Sequence, residues 1–284
     1  MMRIAWVTDS TAYVPDSGKY DIFVVPMSII FGEREYQDGI DLSPEDLFAK
    51  LRDSKAEVKT SQPSIGTFKE LFEQLSGEYD YIISIHVSSH FSGTYSSAHQ
   101  AAELLKDTIP NIICIDSKIL SNPLSELIHY GQRLLREGKD PNQIKDAIED
   151  KITDCETFVM VGSLEQLHKS GRMGGLSFFL GSVLKIKPML SIEEGKLHVK
   201  DKVRSIKKGL SSMSQRLEMA IAEKGVRKVS ILHGLNREEA TEWMVELQSK
   251  YPGIEFGAYP LGAVIGVHAG ENTIGISWFV AENE

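Results

Sequence analysis

Hydroxyl side chains gather at three points of the chain. Asp9-Ser10-Thr11 closes the apolar run Arg3–Thr8. Thr60-Ser61-Gln62-Pro63-Ser64 precedes a helical pattern. Ser88-Ser89-His90-Phe91-Ser92-Gly93-Thr94 leads from the run Tyr81–Val87 into another helix. Small hydroxyls, backbone N–H groups near Gly93 and a helix dipole together form an anion site that needs no cation. Such a site suits a carboxylate or a phosphate. Helix capping is the competing explanation for Ser92 or Thr94, and Ser64 alone accounts for a cap, which leaves Thr60 and Ser61 over.

Two further residues draw attention. Arg172 stands between Gly171 and Met173 in a Gly-rich segment beside an apolar cluster. His268 lies in Gly262-Ala263-Val264-Ile265-Gly266-Val267-His268-Ala269-Gly270, where glycine spacing predicts close backbone packing. A solvated or paired arginine and a buried, satisfied histidine are the plain alternatives. The other histidines show no metal-ligand spacing. The chain holds no G-x-x-x-x-G-K-[ST], no G-x-G-x-x-G after a strand, no G-x-S-x-G, no H-E-x-x-H and no C-x-x-C, which disfavours the common nucleotide, serine-hydrolase and zinc enzymes.

These residues need a scaffold, and alternating strand and helix patterns supply one. Arg3–Thr8, Ile22–Phe31 (broken by Pro26), Tyr81–Val87, Ile112–Ile115 and Thr157–Val161 read as strands. Between them, helices open at Ser43-Pro44, at Ser64 and at Thr94. Two more span about Pro123–Glu137 and Pro141–Thr153. This order predicts an α/β fold whose N-terminal domain has a mainly parallel sheet covered on both faces. Ligands of such sheets bind at the carboxyl ends of the strands, where the first and third hydroxyl loops fall.

The second half reads as a short helix Leu164–Lys169 and a hairpin around Glu194-Gly195. A long helix Ile206–Ala222, a strand Val229–His233, a helix Glu238–Lys250 and a final strand Ile274–Val280 follow. The division expected is 1–160 and 161–284. At 284 residues, 42% hydrophobic and 25% charged, the chain has a globular composition and enough length to bury a core. A net charge of −9 argues against nucleic-acid binding and a polybasic membrane dock. Cys114 and Cys155 form no disulfide framework. With no signal-peptide pattern and no long apolar span, a soluble cytoplasmic protein is expected.

In this order, the motifs resemble the DegV family of fatty-acid-binding proteins, from Arg3 to about Phe279. They are Val7-Thr8-Asp9-Ser10-Thr11, Thr60-Ser61-Gln62-Pro63-Ser64, Ser92-Gly93-Thr94-Tyr95, Asp116-Ser117, Gly171-Arg172, Lys187-Pro188-Met189-Leu190, Arg204 and the Gly262–Gly270 run. The resemblance implies two α/β domains enclosing one long-chain fatty acid. The carboxyl group would be held by Thr60 and Ser92, with Ser61, Gly93 and Thr94 around it and Arg172 and His268 toward the head group. It also implies a carrier without cofactor, metal or activity of its own. In many bacteria such a carrier presents the acid to a separate kinase related to dihydroxyacetone kinases. Phe178, Phe179, Leu180, Val183 and Leu184 are candidate tunnel walls, with ordinary core as the alternative. The chain differs from the family pattern at Asn122-Pro123-Leu124, at Ser170 and at Glu271-Asn272. A competing enzyme reading makes Ser92 a nucleophile with His268 as its base, an esterase or acyltransferase.

Overall fold

A computed structural model describes residues 2–15, 17–53, 58–174 and 187–280. Its contacts divide the chain into two compact units, residues 1–152 with 262–264, and residues 153–261 with 265–284. The division expected near residue 160 falls at the far end of a strand that begins just after this change.

The first unit is built on a four-stranded parallel sheet in the order β2-β1-β6-β7. Its strands are β1 (Ile4–Asp9), β2 (Ile22–Val25), β6 (Tyr81–His86) and β7 (Ile112–Asp116). Every residue of β1 is buried, as expected for a central strand covered on both faces. Alternate residues then serve different helices. Ala5, Val7 and Ile82 pack with Phe68 and Phe72 of α2 (Ile65–Ser76) and Ala98 and Ala101 of α3 (Thr94–Leu105). Trp6 faces α4 (Asn122–Arg136) on the other side, together with Ile148 of α5 (Pro141–Thr153). Gly131 makes that crossing possible: a Cβ there would lie 2.5 Å from the Trp6 ring and 2.9 Å from Ile148.

The Pro26 break is real. The chain leaves β2 and forms a separate antiparallel sheet, β4-β3-β5, from β3 (Ser28–Phe31), β4 (Arg34–Gln37) and β5 (Val58–Ser61). Helix α1 (Pro44–Asp53) opens as its sequence predicts, with the Ser43 hydroxyl accepting from the Asp46 N–H at 3.1 Å. Ser64 likewise accepts from Thr67 N–H at the start of α2.

The second unit carries a mixed six-stranded sheet in the order β10-β9-β8-β13-β11-β12. These are β8 (Cys155–Met160), β9 (Lys187–Glu193), β10 (Lys196–Val203), β11 (Val226–His233), β12 (Glu255–Pro260) and β13 (Ile274–Val280). Only β11 and β12 pair in parallel among these neighbours. Met213 and Leu217 of α7 (Ile206–Lys224) and Trp243 and Leu247 of α8 (Arg237–Lys250) fill the core over the sheet. Two short helices, α6 (Leu164–Lys169) and α9 (Ala263–Ala269), flank β8 and β13 in the chain. The run around His268 is therefore helical. The expected α/β class holds in both units. Phe178, Phe179, Leu180, Val183 and Leu184 lie outside the described residues. Among the described residues, no helix is long and apolar enough to cross a membrane.

Candidate functional site

Five of the seven expected site residues belong to two loops that the structure ties together. Thr60 is half-buried within β5, opposite Ile29 of β3, and Ser61 ends that strand exposed. Ser92 is buried in the turn before α3, and Thr94, fully buried, is the first helical residue. Between the loops sits Gln62, which sequence reasoning quoted but did not single out. Its side-chain amide donates to Ser97 Oγ at 3.0 Å. Its carboxamide also occupies the space beside Gly93, where a Cβ would come within 2.6 Å of Cδ and Nε2. Gly93 has φ −78, so close approach and not backbone freedom demands glycine there. The signal available in the sequence was a bulky polar residue in one hydroxyl loop and a glycine in the other.

Capping accounts for Ser92 in part: its Oγ accepts from the N–H of Thr94, the first residue of α3, at 3.4 Å. The N-cap of α3 is Gly93, and it makes no side-chain cap bond. Ser92 Oγ lies 2.8 Å from Thr94 Oγ1, and its backbone N–H donates to Ser88 O at 3.1 Å. Two hydroxyls thus stand together at the positive end of a twelve-residue helix, at the carboxyl edge of a parallel sheet.

A buried polar chain holds these loops. The Asp9 carboxylate accepts from Thr11 N–H (3.1 Å), Thr11 Oγ1 (2.6 Å) and Val87 N–H (2.9 Å), so it joins the ends of β1 and β6. Its Oδ2 lies 3.1 Å from His86 Nδ1, and His86 Nε2 lies 2.6 Å from Ser84 Oγ. Burial pushes the Asp9 pKa up, but the His86 hydrogen bond and charge, with Thr11 and Val87, outweigh it and hold the pKa below its ordinary value. This serine–histidine–aspartate line has no catalytic access, because all three side chains are fully buried. The neighbouring loop is clasped as well: Ser88 N–H donates to Ile119 O, and Ser89 N–H to Asp116 Oδ1.

A second carboxylate, Asp38, is buried next to Ser10. It accepts from the Ser10 hydroxyl and from the Ala263 and Val264 N–H groups, which anchors residues 262–264 in the first unit. Burial still dominates, and raises its pKa to about 6.

In the second unit, the structure brings Arg172 and His268 together. Arg172 follows Gly171 (φ 75) after α6, is half-buried, and donates through Nη1 to Ser170 O. Burial, then the neighbouring Arg172 charge, pulls the His268 pKa down to about 4. At neutral pH the pair is therefore a cation beside a neutral imidazole, an arrangement suited to an anionic oxygen ligand. Cys114 is half-buried, and desolvation pushes its thiol pKa up to about 12, which keeps it in the thiol form at neutral pH. Among the described residues, no cluster of His, Cys, Asp and Glu could hold a metal ion. Within the first unit, a groove of about 670 Å³ lies at the amino end of β6, the end opposite the hydroxyl loops, with Tyr79, Asp80, Ile109 and Asn111 among its mixed polar and apolar lining.

A family model described as an uncharacterised protein, DegV family, matches residues 3–281. The chain belongs to the DegV family. A DegV domain-containing protein of Halalkalibacterium halodurans is 35% identical over 283 residues, covering 99% of each chain. Among solved structures, DegV of Bacillus subtilis, a fatty-acid-binding protein, matches with a TM-score of 0.89 at 33% identity, over 99% of this chain and 100% of that one. A stearic-acid-binding protein of Eubacterium ventriosum matches with a TM-score of 0.88 at 28% identity, over 99% and 98%. The DegV fold thus accounts for both units and for the motifs that first suggested it.

Proposed function

We propose that this DegV-family chain binds one long-chain fatty acid in a buried tunnel and presents its carboxyl group to a separate kinase of the dihydroxyacetone-kinase-like type, as a cytoplasmic carrier and not as the catalyst. The observation that supports this reading is the clasp of Gln62 on Gly93 and Ser97, which joins the loop that carries Thr60 and Ser61 to the one that carries Ser92, Gly93 and Thr94. These groups are the carboxyl anchor. Arg172 and His268 complete the head-group set, the cation facing the acid or the acyl phosphate made from it. Domain limits near 1–160 and 161–284 go with this reading, the second domain covering the acyl chain. The likeness to fatty-acid-binding structures over nearly the whole chain supports it.

Energetics fit a carrier. Burying about 14 methylenes at roughly 0.8 kcal/mol each gives about 11 kcal/mol of gross driving force. Immobilisation removes several kcal/mol of that. Chain burial then dominates affinity, and the carboxyl end fixes position. Neutral hydroxyls do this at lower desolvation cost than a buried charged pair.

Native mass spectrometry and gas chromatography of the purified protein test the proposal. A co-purifying fatty acid in one-to-one ratio is expected, with Ser92→Ala and Thr60→Ala each weakening carboxylate anchoring by about 1–3 kcal/mol. Absence of lipid, together with no binding of added fatty acid, overturns it. Incubation with ATP and Mg²⁺, with and without a partner kinase, tests the carrier role. Phosphorylation without the partner, or ester cleavage abolished by Ser92→Ala, favours an enzyme.

A further inference from the structure

Asp116-Ser117 is a motif of the sequence with no part in the anchor itself, yet the structure ties it to the loop that carries Ser92. Asp116 ends β7 opposite His86, the last residue of β6, so the two strands close on one rung. Both then open into loops at the carboxyl edge of the sheet. Residues 87–93 lead to α3, and residues 117–121 lead to α4.

The two loops are joined chiefly through one carboxylate. Asp116 accepts from Ser89 twice, from its N–H through Oδ1 at 3.1 Å and from its hydroxyl through Oδ2 at 2.5 Å. Oδ1 also accepts from Lys118 N–H at 3.1 Å. Alongside, Ser88 N–H donates to Ile119 O at 3.0 Å, and Ser117 N–H donates to His86 O at 3.1 Å. Ser117 is fully buried, and its hydroxyl accepts from Ile119 N–H at 3.2 Å, which holds the turn that receives Ser88.

These bonds reach Ser92 in one further step. Ser88 O accepts from the N–H groups of Phe91 and Ser92, at 2.9 and 3.1 Å, and Ser88 Oγ accepts from His90 N–H at 3.2 Å. Residues 88–92 are therefore one closed turn, and what fixes Ser88 and Ser89 also fixes Ser92. Burial does little for this part of the turn, because Ser89 and His90 are exposed. Hydrogen bonds must hold it, and those to a carboxylate are roughly twice as strong as neutral ones. The receiving loop is itself constrained. Lys118 and Ser121 have φ of 55 and 63, the left-handed region that side chains disfavour, and the Asp116 bond to Lys118 N–H supports the first of them. Backbone of this kind persists only where its surroundings fix it.

We propose that Asp116, acting through Ser89, is the positioning residue that holds the Ser92 hydroxyl where a fatty-acid carboxylate meets it. The inference rests on the fatty-acid reading above and deepens it. Asp116 is no ligand of the acid, since like charges repel. Its part is to keep the anchor loop in place while the loop's outer residues face water.

The test uses lipid-stripped full-length protein and stearic acid labelled with carbon-13 at the carboxyl carbon or at the terminal methyl. Affinity is read by displacement of a fluorescent fatty acid, and the bound acid by nuclear magnetic resonance. Asp116→Ala should bind stearic acid about three- to tenfold more weakly, the worth of one hydrogen bond. The carboxyl resonance should move or broaden, and the methyl resonance should stay. Asp116→Asn should recover most of the loss, because its Oδ1 still accepts from both N–H groups and its Nδ2 can donate to the Ser89 hydroxyl. Ser89→Ala changes an exposed residue, removes the hydroxyl bond alone and should weaken binding about two- to threefold, so it decides the matter if Asp116→Ala does not fold. Equal disturbance of both resonances means that Asp116 serves the fold at large, and overturns the proposal. Parent-like affinity and carboxyl resonance in the variants overturn it too. If stearic acid does not bind the parent protein, the fatty-acid reading fails, a different outcome from failure of the positioning role.

Discussion

Replacing Gly93 with alanine puts a methyl group where the Gln62 carboxamide now sits, within 2.6 Å of Cδ and Nε2. The φ of −78 is ordinary for alanine, so no backbone strain arises. Gln62 is exposed, and its amide can swing into water instead of forcing the loops apart. What is lost is the 3.0 Å bond to Ser97 Oγ. A net bond of this kind is worth about 0.5–1.5 kcal/mol, and the flexible, exposed partner places the cost near 1 kcal/mol. Gln62→Ala removes the same bond from the other side, at a similar cost. The two effects must then not add. In the Gln62→Ala background, Gly93→Ala should be neutral, or stabilising by about 0.4–1 kcal/mol through the stiffer unfolded chain. Urea unfolding of the four proteins followed by circular dichroism measures the coupling, expected near 1 kcal/mol. Fatty-acid retention should fall in both single variants. Equal destabilisation by Gly93→Ala in both backgrounds would show that the methyl meets something other than Gln62, and the clasp argument would fail.

Asp38 gives a pH-dependent test. Its raised pKa means the unfolded chain loses this proton first, so the group makes stability fall as pH rises from about 4 to about 6, by roughly 3 kcal/mol in all. Asp38→Asn should abolish that slope and unfold at higher urea above pH 7. A steeper slope in the variant contradicts the assignment. Asp9 works in the opposite sense: its lowered pKa contributes stability above about pH 4 that is lost as pH falls through the folded value. His86→Ala leaves the buried Asp9 carboxylate without its imidazole partner and should cost about 3 kcal/mol, measured by equilibrium unfolding; a loss under 1 kcal/mol refutes the network. His268 should remain neutral above about pH 5 in a nuclear magnetic resonance titration, and an ordinary midpoint near 6.5 would place it in a wetter site than the structure does.

Much of the first unit was legible along the chain. Apolar runs that end in Asp-Ser-Thr, and helices opened by Ser43, Ser64 and Pro141, carry their signals in contiguous residues. Local periodicity and capping alone therefore located β1, β6, α1, α2 and α5. The alternation of these elements implied the parallel sheet. Three strands were not legible, the first being Arg34–Gln37, four polar or aromatic residues with none buried. Val58-Lys59-Thr60-Ser61 is short and half-exposed, and Glu255–Pro260 carries Gly257 and ends in proline, so neither has a clear period. The helix Ala263–Ala269 was hidden by glycine spacing, because a tightly packed helix and a tightly packed loop both call for small residues.

Tertiary structure alone decided what joins distant segments. Gln62 meets Ser97 across 35 residues, and Asp9 meets His86 across 77. Residues 262–264 return to the first unit onto Ser10 and Asp38 after the chain has built most of the second. The burial of Thr8, Ser121 and Ser125 belongs to the same class. A serine's type is visible in sequence, but whether water or another side chain reaches its hydroxyl depends on what packs over it, and that is settled only when remote parts of the chain are brought together.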